Sequence, residues 1–202
     1  MWIKICGMTT PEAIEAALAA RVDAVGFVFA ASPRQLTPRE AARLAKPARG
    51  RVRCVAVTRH PAQVLLDEII AELAPDVWQS DLEDFNALHA PSSLERLPVL
   101  RADAAEPRRL PPRALFEGAT SGAGVACDWT AARAVARRTQ IVLAGGLTAL
   151  NVAAAIDAVR PFGVDVSSGV EERAGVKSAQ RILQFAEAVR RAPQAQLEEK
   201  TP

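Results

Sequence analysis

Several residues of this chain have the types and the placement that chemistry needs. Cys6 closes a short apolar run, 2–7, and Ser32 and Arg34 come just after a second, 23–29. Gln79, Ser80 and Asp81 stand at the end of another, 76–80, and Asp128 precedes Trp129-Thr130-Ala131 at the start of a helical stretch. Gly145-Gly146 ends the run 141–146, and Asp165 with Ser167-Ser168-Gly169 ends 163–169. The glycine pair and the Ser-Ser-Gly triplet carry the clearest physical signal. Small residues let backbone N–H groups come close to an anion, and a nearby helix N-terminus favours negative charge. Together they predict a phosphate site built from Gly145, Gly146, Ser168 and Gly169, although each group alone also fits an ordinary turn. The other residues have plain readings too. Cys6 suits a small buried hydrophobe, Asp128 a helix N-cap, Arg34 a solvated loop charge, and Asp165 a buried polar group tied to backbone.

What must position these residues is read from the runs themselves. Eight short apolar, β-branched segments begin at 2, 23, 52, 76, 97, 114, 141 and 163, spaced by 17 to 29 residues. They are nearly continuous rather than alternating, as in strands buried on both faces. Between them lie segments of helical period at 11–20, 38–46, 61–73, 129–138, 149–159 and 178–191, with a weak one near 83–88. Thr37-Pro38-Arg39-Glu40 is a capping box with proline at the first helical position. Thr9 or Thr10, Thr148 and Ser178 are placed to cap in the same way. Repeated βα units demand parallel strands with right-handed crossovers. Eight units predict an α/β chain folded as a single-domain (β/α)8 TIM barrel over 1–192, with a polar tail over 193–202; an open doubly wound sheet is the alternative. One unit is irregular. Pro107, Pro111 and Pro112 fall between the fifth and sixth strands and block a long helix there. In such barrels the active site lies at the C-terminal ends of the strands, where the residues above stand.

Composition narrows the classes. Half of the 202 residues are apolar, enough for a large core. The 25 basic and 23 acidic residues nearly cancel, which argues against a nucleic-acid binder. Three cysteines, Cys6, Cys54 and Cys127, form neither a disulfide framework nor a CxxC zinc pair, and His60 and His89 are too few for a histidine-rich metal site. No segment approaches the roughly 20 apolar residues of a membrane span, and the N-terminus lacks a signal-peptide core. The expectation is a cytoplasmic protein with reduced thiols, bound to neither nucleic acid nor membrane.

A family resemblance rests on Lys4-Ile5-Cys6-Gly7-Met8-Thr9, on Ala24-Val25-Gly26-Phe27-Val28-Phe29 followed by Ser32-Pro33-Arg34, and on Cys127-Asp128-Trp129. It extends through Ala144-Gly145-Gly146-Leu147 with Asn151-Val152, and Val164-Asp165-Val166-Ser167-Ser168-Gly169-Val170-Glu171 with Gly175-Val176-Lys177. In order and at suitable spacing, these resemble the phosphoribosylanthranilate isomerases of tryptophan biosynthesis. The resemblance implies a (β/α)8 barrel, monomeric or homodimeric. It implies an Amadori rearrangement of a phosphosugar-anthranilate, without cofactor or metal. It assigns Cys6 as the catalytic base and Asp128 as the acid, Arg34 to the anthranilate carboxylate, and Asp165 to the sugar hydroxyls.

The implied roles set physical demands. A free thiol titrates near pH ~8.5, so a thiolate base needs help or acts as a minor species. A carboxyl acid needs burial or neighbouring negative charge to keep its proton at neutral pH. The chain also departs from the family. Gln79-Ser80-Asp81-Leu82 stands where Gln-Leu-His-Gly is usual. Glu117 and Ser121-Gly122-Ala123-Gly124-Val125 stand where an Asp and a Lys-bearing glycine loop are common. That loop is expected to be a lid leading into Asp128. Two other readings compete: a histidine-pathway isomerase of the same chemistry, which would carry Asp rather than Cys6 on strand one, and a non-catalytic phosphosugar-binding barrel.

Overall fold

The computed structural model describes residues 1–104, 107–118 and 127–193. Eight parallel strands close in sequence order: β1 (Trp2–Cys6), β2 (Ala24–Val28), β3 (Arg53–Val57), β4 (Val77–Asp81), β5 (Glu95–Arg101), β6 (Arg113–Glu117), β7 (Gln140–Leu143) and β8 (Gly163–Val166). Pairing of β8 with β1, Lys4 opposite Asp165, completes the barrel and excludes the open sheet. The helices are α1 (Pro11–Ala19), α2 (Pro38–Ala45), α3 (Gln63–Leu73), the single turn α4 (Asp84–Ala87), α5 (Trp129–Ala136), α6 (Val152–Val159) and α7 (Ala179–Arg191). The glycine loop 121–125 and the tail beyond 193 lie outside the described residues.

The helix starts follow their capping signals. Thr10 accepts from the Ala13 N–H ahead of Pro11, and Ser178 accepts from Arg181 at α7. Thr37 and Glu40 form both bonds of the capping box. Between β5 and β6 no helix occurs among the described residues, as the three prolines require. Helix α6 begins later than its periodicity suggests. Thr148 caps a preceding turn, accepting from the Leu150 N–H, while Asn151 sits at the helix start. A two-stranded hairpin, β9 (Glu171–Arg173) with β10 (Val176–Lys177), was not apparent in the sequence; its strands are too short to show a period.

Alternation along the strands divides the core in two. Ile3, Ile5, Val25, Phe27, Val164 and Val166 face the helices. Val55, Val77, Leu97, Leu115 and Val142 fill the barrel interior. This inner plug seals the lower barrel, so the polar inward residues gather above it at the strand ends. Leu115, 1% exposed, is central to the plug. Leu115→Ala should cost about 2–5 kcal/mol through the cavity it leaves. Denaturant unfolding should show an earlier midpoint at unchanged m-value.

Candidate active site

Above the apolar plug, the strand ends enclose a cavity of about 220 Å³. Its lining includes Cys6, Arg34, Asp165, Gly145, Gly146, Ser168 and Gly169. Seven of the eight site residues expected from sequence therefore meet in one place. The eighth, Asp128, does not line it. Its exposed carboxylate caps α5, Oδ1 accepting from the Thr130 and Ala131 N–H groups at 2.8 and 3.2 Å.

Cys6 lies at the end of β1, buried against β2. Its position depends on Gly26. A side chain at 26 would put its Cβ 3.0 Å from Cys6 Sγ and 3.2 Å from Lys4 Cε. Burial pushes the Cys6 thiol above its usual value, although the Lys4 ammonium pulls the other way. Lys4, fully buried, donates to Asp165 Oδ1 at 2.9 Å. Asp165 is thus tied to a lysine side chain, a partner its sequence context did not reveal.

Arg34 is clamped from one side. Its Nε and Nη2 donate to the two carboxylate oxygens of Glu171 at 2.6 and 2.9 Å. This two-pronged grip fixes the plane of the guanidinium. Gly7, at φ +79°, leaves the space for it: a Cβ there would lie 2.5 Å from Arg34 Cδ. Lys177 donates to Glu171 at 2.8 Å and to Ser167 O and Oγ at 3.1 Å each. Burial works to raise the Glu171 carboxyl, but its bonds to Arg34 and Lys177 prevail and hold it at about 2. The loops after β2 and β8 are thereby joined by one charged cluster.

Gly145 and Gly146 take φ +96° and +63°, conformations that side chains rarely adopt. Among the described residues none accepts from their N–H groups. Asn151 Nδ2 donates to Gly146 O at 2.9 Å, tying this loop to α6. Gly169 has a second constraint. A Cβ there would lie 1.9 Å from Leu147 O, so the turn after β8 packs directly on the loop after β7.

The opposite wall is also charged. Arg101 donates to Asp81 at 2.6 Å and to Glu117 at 2.8 Å, and His60 Nε2 lies 3.2 Å from Asp81. Asp81 is thus held between Arg101 and His60. Gln79 Oε1, buried beside it, has no partner among the described residues. Sequence reasoning missed Lys4, Arg101, Glu117, Glu171 and Lys177 as parts of the site. Lys4 had a signal: a charge two residues before Cys6, hence on the same strand face.

Residues 3–188 match the family described as N-(5'phosphoribosyl)anthranilate (PRA) isomerase. The chain belongs to the N-(5'-phosphoribosyl)anthranilate isomerase family. A relative of that name from Mesorhizobium japonicum is 38% identical, over 94% of this chain and 95% of its own length. One from Rhizobium rhizogenes is 37% identical over 93% of both. The phosphoribosyl anthranilate isomerase of Thermus thermophilus superposes with a TM-score of 0.81 at 25% identity, over 94% of this chain and 98% of that one. Another isomerase structure, in complex with reduced 1-(o-carboxyphenylamino)-1-deoxyribulose 5-phosphate, has a TM-score of 0.75 at 25% identity, with 94% of this chain and 98% of that one covered. Both share the TIM-barrel fold described above.

The Glu171 cluster yields a prediction about acid stability. A carboxyl held at about 2, against the usual 4.5, adds stability in full above the usual value. That stability is lost as pH falls through the lower one. The parent should therefore lose stability between pH 4.5 and about 2 in a step that Glu171→Gln lacks. Denaturant unfolding at stepped pH measures it; identical pH dependence in both proteins would contradict the assignment.

Proposed function

We propose that this cavity converts N-(5'-phosphoribosyl)anthranilate to 1-(o-carboxyphenylamino)-1-deoxyribulose 5-phosphate, as a step of tryptophan biosynthesis. The observation that carries the reading is the convergence of three complementary groups on one cavity. Gly145 and Gly146 offer backbone donors suited to a phosphate, with Ser168 and Gly169 beside them. Arg34 offers the guanidinium edge that Glu171 does not hold, suited to the anthranilate carboxylate. Cys6 lines the same cavity and is suited to accept a proton.

The reaction is an internal exchange of hydrogen. An acid protonates the ring oxygen, and the C1–O bond breaks as the nitrogen lone pair forms C1=N. Cys6 takes the proton from C2, and the released electron pair forms C1=C2 and neutralises the nitrogen. Loss of the C2 hydroxyl proton and protonation at C1 then give the ketone. Atoms and electrons balance without an added oxidant or reductant. We assign the acid to Asp128 on the motif Cys127-Asp128-Trp129. That role requires its carboxylate to leave the α5 cap and turn to the cavity. Asp165, anchored by Lys4, is assigned to the sugar hydroxyls. The reduced thiols and the small metabolite substrate fit a cytoplasmic setting.

Turnover is followed by loss of anthranilate-type fluorescence from substrate made in situ. Cys6→Ser and Asp128→Asn should each lower kcat by roughly 10²–10⁴-fold, the usual worth of general acid–base catalysis. Unfolding curves should match the parent for Cys6→Ser. Near-parental rates in both would leave Cys6 as packing and Asp128 as a cap. Arg34→Ala should weaken substrate binding by about 1.5–3 kcal/mol. Arg34→Lys should recover little, because a point charge does not reproduce the fork. An unchanged KM in Arg34→Ala would place the carboxylate elsewhere.

A further inference from the structure

Lys4 sits directly below Cys6, two residues earlier on β1 and on the same face of the strand. It is fully buried. The space over Gly26 holds both the Cys6 sulfur and the end of the Lys4 stem, since a Cβ at 26 would contact the two at 3.0 and 3.2 Å. The ammonium is anchored by Asp165 at 2.9 Å on the neighbouring strand. A buried ion pair is weak evidence for stability, because desolvation of the two charges offsets their attraction. An apolar pair would close the β1–β8 seam as well. Lys4 is therefore better explained by what lies above it.

We propose that Lys4 is a positioning residue for the isomerisation: its buried ammonium, anchored by Asp165, lies against Cys6 and favours the thiolate that removes the C2 proton. The inference rests on the assignment of Cys6 as base. Lys4 itself transfers no proton and stays an ammonium before and after the step. Its charge is secure. Burial works to lower its affinity for the proton, but Asp165 and Cys6 outweigh burial and hold it above its usual value.

The charges facing Cys6 come from four elements. They are Lys4 on β1, Asp165 on β8, Lys177 on β10 and Arg34 in the loop after β2. Arg34 and Lys177 share Glu171 as a counterion, with contacts of 2.6–2.9 Å. Asp165 opposes the thiolate. Among the cations Lys4 acts most strongly on the sulfur, and it acts against the burial that pushes the thiol up.

The test is a thiol titration on the full chain with Cys54 and Cys127 replaced by alanine. The protein has no tyrosine, so ultraviolet thiolate absorbance belongs to Cys6 alone. Lys4→Met should move the titration midpoint upward by about 1–3 pH units, the range for loss of one close opposite charge. The acid limb of the kcat/KM profile should move by the same amount, with rate recovered at high pH. Lys4→Met combined with Asp165→Asn leaves no unpaired buried carboxylate, and its midpoint should still lie above the parent's. If neither variant moves the midpoint while kcat falls at every pH, Lys4 only pins the seam and the proposal is wrong. If the midpoint moves but the pH–rate profile does not, Cys6 is not the base, and the catalytic use of Lys4 falls with it.

Discussion

The site depends on a buried ion pair at the seam where the chain's first strand meets its last. Lys4 and Asp165 are 161 residues apart in sequence, yet their side chains meet at 2.9 Å inside the closed barrel. Below them the interior is sealed by Val55, Val77, Leu115 and Val142. Above them is Cys6. The apolar plug keeps water from the pair, so each charge acts at short range with little screening. Such a pair does little for stability, and its effect falls on its neighbours. Gly26 is part of the same constraint: a side chain there would press on both the sulfur and the lysine stem, at 3.0 and 3.2 Å.

From that floor the rest of the cavity is assembled by loops locked to one another. Glu171 on β9 grips Arg34 from the loop after β2, and Lys177 on β10 grips Glu171 and Ser167. The turn at Gly169 rests on Leu147, so the two glycine-bearing loops are one packed unit. A mobile guanidinium would lose entropy on meeting a carboxylate; one already clamped on its Nε edge does not. The opposite wall, Asp81 with Arg101 and Glu117, is largely neutralised within itself. The positive edge of the cavity is accordingly concentrated beside Cys6 and Arg34.

Much of this was legible in the residues. The strands were, because barrel strands buried on both faces leave continuous apolar runs, and the gap between β5 and β6 was, because proline has one local effect. Gly145 and Gly146 were, because a glycine pair just after the seventh strand lets backbone come close to a ligand, and both take positive φ. The charged network was not. The partnership of Arg34 with Glu171 spans 137 residues, and neither residue's local context encodes it. The hairpin of β9 and β10 carries Glu171 and Lys177 in strands of three and two residues, too short for any periodicity. Asp128 shows the opposite case. Its local signal, a cap before Trp129, is what the structure displays, and its catalytic assignment comes from the family motif alone.

The most direct test of the account is a crystal structure of this protein with the reduced product analogue bound. The phosphate should lie on the backbone N–H groups of Gly145 and Gly146, beside Ser168 and Gly169, and the anthranilate carboxylate on the free edge of Arg34. Cys6 Sγ should then lie within about 3–3.5 Å of C2, the spacing of a near-attack arrangement, with the Asp128 carboxyl turned from α5 toward the sugar. A phosphate held instead by Arg101 on the opposite wall, with Cys6 out of reach of C2, would contradict it.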